Sequence, residues 1–75
     1  MSHRKMSTLA EGERARVADI ELKGSICGRL RGLGLIEGGK VECLHRSASG
    51  SIAAYLICGA VIAIRREDAE NIIII

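Results

Sequence analysis

Three groups of residues have types and spacings that could do chemistry. From Gly34 the chain reads Gly-x-x-x-x-Gly-Lys, the first seven positions of a phosphate-binding loop, with Lys40 where a phosphate-contacting lysine would stand. Cys43 and His45 lie two apart in an alternating stretch, so they would share one face of a strand and offer two ligands to zinc or iron, which would need further donors. Arg29, Arg31, Arg65 and Arg66 could face an acidic partner, or the phosphates of a nucleotide in the manner of an arginine supplied in trans. No Ser/His/Asp arrangement stands near His3 or His45, and Glu67, Asp68 and Glu70 read as a solvated polar turn, so catalysis is not expected.

The elements that must carry these residues decide among the readings. A phosphate loop needs Ser or Thr at its eighth position for a magnesium ion, and it runs from a strand into a helix whose N-terminus faces the phosphates. Here Val41 occupies that position. Ser25 reads as an N-cap, and Ile26, Leu30 and Leu33 follow on one helical stripe. Gly34 fits the left-handed position that ends a helix, with Leu35 beyond it placed to touch Leu30. Alternation from Val41 onward is strand-like. The order is therefore helix, loop, strand, the reverse of a phosphate loop, and the dinucleotide pattern fails because Glu37 stands where it needs glycine.

Seventy-five residues make one small domain, in a size range that buries only about 60% of its extended surface. The composition is 48% hydrophobic but only 1% aromatic, Tyr55 alone, so the interior must be branched aliphatic, which favours strands. A net charge of +2 is too balanced to mark a nucleic-acid protein. The spacing of Cys27, Cys43 and Cys58 gives no close pair, and buried free thiols are expected. MSHRKMSTLAEGE has no apolar run behind its basic residues, so a secretory signal is not expected and the reducing cytosol is the expected compartment. The thirteen uncharged residues Ile52 to Ile64 are too few to span a bilayer, and Gly59 divides them into two strands. Residues 1–8 are expected as a flexible tail and 9–75 as a single domain.

A first strand is expected around Ala15 to Leu22. Ala15 and Val17 are out of phase with Ile20 and Leu22, so a bulge near Ala18 or Asp19 is needed to turn both pairs inward. One helical or 3₁₀ turn follows Arg65, then a last strand of Ile72 to Ile75. The map is mainly β: five strands in a closed or nearly closed barrel, one short α-helix between the first two strands, and a short helical turn before the last.

RLRGLGLIEGGKVEC resembles a segment of the ferrous iron transport protein A (FeoA-like) family, matched at Arg29, Leu30, Leu33, Gly34, Leu35, Gly38 and Val41. GERARV resembles that family's opening, at Gly12, Ala15 and Val17; GAVIAIRREDAENIII resembles its close, at Gly59, Ile62, Ala63, Ile64, Arg65, Ala69 and Ile72. Glu37 stands where a proline is usual, and SASGS replaces a Gly-Asp-Pro turn, both in loops. The resemblance implies an SH3-like barrel in the cytoplasm, an accessory of a membrane ferrous iron transporter that carries its own GTP-binding domain, without membrane insertion, resident cofactor or nucleic-acid partner. Its docking surface is expected at Arg29, Arg31, Leu35, Ile36, Glu37, Gly38 and Gly39, with packing of Leu35 into the core as the open alternative. The second function class is a metal-binding or metal-sensing domain, related to the C-terminal domain of metal-dependent repressors, that uses Cys43 and His45.

Overall fold

The structure is a computed structural model and describes residues 3–75. Its elements are β1 (Arg4–Lys5), a 3₁₀ turn (Met6–Thr8), β2 (Arg14–Ile20), α1 (Ser25–Gly32), β3 (Lys40–Arg46), β4 (Ile52–Ile57), β5 (Ala60–Arg65), α2 (Arg66–Ala69) and β6 (Ile72–Ile74). All pairings are antiparallel, in the order β1-β6-β2-β3-β4-β5. The sheet rolls around one aliphatic core. Tyr55, the only aromatic, is 1% exposed in it and donates its hydroxyl to the Met6 carbonyl at 3.4 Å. That bond brings the 3₁₀ turn against β4 and helps to close the roll.

The bulge in β2 forms where the change of phase requires it. The β2·β6 register shifts between Val17 and Asp19, and Val17 and Ile20 are buried at a spacing of three, with Leu22 buried just beyond. Strand β2 itself spans Arg14 to Ile20, so Leu22 belongs to the segment that follows it. Cys58 and Gly59 make the two-residue turn between β4 and β5, both with positive φ, as a type I′ hairpin requires.

Residues 4–8 differ from the expected tail. Arg4 and Lys5 pair with Ile74 and Ile73, Met6 and Leu9 are fully buried, and Arg4 forms an ion pair with Glu13 at 2.6 Å. Arg46 donates to the carbonyls of Ser7 and Leu9, both at 2.8 Å, which fixes the 3₁₀ turn to β3. Two apolar anchors and two basic side chains thus convert a polar-looking leader into the sixth strand and a core contact. Met1 and Ser2 lie outside the described residues.

Candidate docking surface

Helix α1 and the loop after it present the arginines. Ser25 is the first helical residue and not the cap; Gly24 precedes it with φ of 76°, and no side chain caps the N-terminus. The C-terminus is as the sequence predicts. Gly34 has φ of 111°, its N–H donates to the Arg31 carbonyl at 3.0 Å, and the Leu35 N–H reaches back to the Leu30 carbonyl at 3.0 Å. That is the bond pattern of a Schellman end. A second constraint was not legible in the sequence: a Cβ on Gly34 would overlap the side chain of Cys58 in the β4–β5 turn. Gly34 is where two parts of the backbone come close.

Beyond Gly34 the loop is tied to β2. Val17 donates to the Gly39 carbonyl at 2.8 Å and accepts from the Gly38 N–H at 2.7 Å, while the Arg16 guanidinium donates to the Gly38 carbonyl at 2.9 Å. Gly38, with φ of 84°, and Gly39 thereby extend the β2·β3 ladder past its last regular pair. These two glycines shape the loop and present no side chain. Leu35 is fully buried, which corrects its expected place on the docking surface: the Schellman end turns it into the core. Ile36, next in sequence, is 52% exposed. Arg31 and Glu37 form a two-pronged ion pair, Nη1 to Oε1 and Nη2 to Oε2, both 3.0 Å. The Arg31 hydrogen bonds hold the Glu37 carboxyl below the usual carboxylate range, and Glu37 in turn raises Arg31. Arg29, two residues back and so on another face of α1, is exposed and forms no salt bridge among the described residues.

The structure does not bring Cys43 and His45 together. The β3·β4 register shifts between them, Cys43 opposite Tyr55 and His45 opposite Ala54, so Leu44 is a bulge that breaks the alternation. Cys43 is fully buried, and burial pushes its thiol up from the ordinary range. The His45 side chain is 77% exposed, with Nδ1 3.1 Å from a Glu11 carboxylate oxygen. A buried protonated thiol and a solvent-facing imidazole do not make a shared ligand pair. All three cysteines are free, but only Cys43 is buried; Cys27 is half-buried and Cys58 exposed, fewer buried thiols than the composition predicts.

A groove of about 420 Å³ runs between α1 and β5. Ile26, Leu30 and Leu33 of the helical stripe line one wall, and Ile62 and Ile64 the other, with Arg29, Arg65 and Asp68 as its charged lining residues. Leu33 is 46% exposed in it. The sequence places Ile26, Leu30 and Leu33 on one stripe, but not beside an open groove.

The FeoA domain family matches residues 4–75. The chain belongs to the FeoA family. It is 32% identical to the FeoA protein from Chlorobium tepidum, over 96% of this chain and 70% of that one, with a TM-score of 0.89. FeoA from Stenotrophomonas maltophilia, described as a procaryotic SH3 domain protein and crystallised with zinc, is 22% identical over 93% of this chain and 87% of that one, with a TM-score of 0.81. A manganese-dependent transcriptional repressor is 16% identical and covers 97% of this chain and 41% of its own, with a TM-score of 0.85. None of the curated protein sequences matches the chain. The fold is thus an SH3-like barrel, five strands with the two-residue β1 added at one edge. Among the described residues, no helix is long and apolar enough to cross a membrane.

Proposed function

We propose that this FeoA-family chain is a non-catalytic cytoplasmic accessory of ferrous iron uptake, which docks on a membrane transporter that carries its own GTP-binding domain and modulates it. Family membership over residues 4–75 carries the reading. The S. maltophilia relative, described in connection with ferrous iron transport activation, points the same way. The surface best suited to docking is Arg29 together with Arg31, Ile36 and Glu37, held in place by Gly38 and Gly39. Its side chains are exposed while its backbone is fixed to β2, so little ordering entropy opposes binding.

Two features of the site weigh against the remaining readings. The Gly34–Lys40 segment runs from a helix into a strand and uses its Gly38 N–H on Val17, which removes an amide a phosphate would need. Metal sensing through Cys43 and His45 is opposed by the bulge that separates them.

The test is co-purification of the tagged chain with the detergent-solubilised transporter. Wild type is retained, and the folded Arg29→Glu, Arg31→Glu double variant is lost, because exposed charges of this kind govern association more than stability. Equal retention of the double variant would remove this surface; failure of the wild type to bind would remove the docking reading.

A further inference from the structure

The two edges of the sheet are unlike. One is β1, two residues long and both basic, the kind of edge that resists pairing with another chain. The other is β5, Ala60–Arg65, six residues with five apolar side chains, no proline and an unbroken register against β4. Its backbone polarity follows from the hairpin. Ile57 and Ala60 flank a two-residue turn and form a hydrogen-bonded pair, so Ala60, Ile62 and Ile64 direct their N–H and C=O groups toward β4. The alternation continues into Arg66, whose N–H donates to the Ser51 carbonyl at 2.9 Å. Val61 and Ala63 therefore direct both groups outward, and Arg65 its N–H, while the Arg65 carbonyl, at the N-cap of α2, belongs to that helix's first turn. Four consecutive residues, Ile62 to Arg65, line the α1–β5 groove, so the strand's backbone edge, not just one of its faces, forms the wall. Val61 is 66% exposed at one end.

We propose that this edge and groove form a strand-addition site for an extended segment of a partner protein, with alternating apolar side chains and a carboxylate that meets Arg29. The main chain of the incoming segment would pair with Val61, Ala63 and the Arg65 N–H, and its inward side chains would lie on Ile26, Leu33 and Ile62. Charge selects the occupant. Asp68 also lines the groove and forms a 4.0 Å salt bridge with Arg65, whereas Arg29 forms no salt bridge among the described residues, so Arg29 is the rim cation left for an incoming carboxylate. A second copy paired through its own β5 would bring none, since Ala60–Arg65 contains no acidic residue. A polyproline ligand needs exposed aromatic rings, and Tyr55 is 1% exposed.

The proposal is independent of which protein supplies the segment. Random dodecamer peptides displayed on phage are selected against the purified chain, and the winners are synthesised and measured by fluorescence polarisation. The expected winners alternate apolar residues and carry a carboxylate. Their affinity falls at least about tenfold for Ala63→Pro, which removes an outward N–H without touching the β4 ladder, and for Arg29→Glu combined with Arg65→Glu. Methylation of alternate peptide amides produces a comparable loss on the wild-type protein, and this arm decides the matter should Ala63→Pro fail to fold. Several results would overturn the proposal: no winners, winners rich in proline, winners indifferent to amide methylation, or a concentration-dependent dimer in sedimentation that Ala63→Pro abolishes, which would assign the edge to a second copy. None of these measurements involves the transporter; Arg29 is shared with the docking surface above, so Ala63→Pro and the peptide methylation, which leave Arg29 and Arg31 intact, keep the two proposals distinguishable.

Discussion

The loop from Leu33 to Gly39 and the edge of β5 invert what their sequences announce. The loop, apolar and rich in glycine, reads as a free docking element, yet its glycines bond to Val17 and its Leu35 is fully buried. Strand β5 reads as a core strand, yet it lies at the edge of the sheet with the outward backbone groups of Val61 and Ala63 and the Arg65 N–H unanswered. Composition reports how apolar a segment is. Whether that apolar surface is used depends on strand order, which is a property of the whole chain.

The sharpest way to break this comparison is to truncate neighbouring loop residues. Leu35→Ala should destabilise by about 2–5 kcal/mol, the range for a large core side chain replaced by a methyl group, whereas Ile36→Ala should stay within about 0.5 kcal/mol. Urea denaturation of both variants checks this; equal losses would mean that the loop is either wholly core or wholly surface. Gly34→Ala comes next, at about 2–3 kcal/mol, because it combines left-handed strain with overlap against Cys58. A thermal melt identical to wild type would reject both the φ and the close approach.

A smaller effect sharpens the contrast between the two edges. The Arg4 hydrogen bonds, with help from the Ala10 N–H, hold Glu13 down to about 2 from its ordinary 4.5, and they fasten the β1 edge. Because the folded-state value is depressed, the stabilisation is present above pH 4.5 and is lost as the pH falls through about 2. The difference in melting temperature between wild type and Glu13→Gln should therefore close across that window. A gap that persists below pH 2 would mean that Glu13 acts through packing and not through its charge.

Much of this fold is legible because local rules agree with it. The out-of-phase pairs Ala15/Val17 and Ile20/Leu22 require the β2 bulge, and the Ile26/Leu30/Leu33 stripe followed by glycine requires a Schellman end. The N-terminal strand is hidden because its anchors, Met6 and Leu9, sit among polar residues and its ion-pair partner Glu13 is nine positions from Arg4. The bulge at Leu44 has no marker of its own, since Val41, Cys43 and His45 alternate as an unbroken strand would, and the metal reading of Cys43 and His45 rested on that alternation. The arginines were legible as types; their placement was not. Arg31 is engaged by Glu37 only because the loop folds back, and the position of Arg29 beside an open groove follows from the packing of α1 against β5.

Amide hydrogen exchange of the free protein, followed by NMR at low concentration, tests most directly the claim that a fixed loop and an open edge stand side by side. The Gly38, Gly39 and Val17 amides, each with a backbone acceptor, should exchange slowly, along with Ile62 and Ile64, while Val61, Ala63 and Arg65 exchange near the rates of an unstructured chain. Strong protection at Val61, Ala63 and Arg65 in the monomer, or fast exchange at Gly38 and Gly39, would contradict the account.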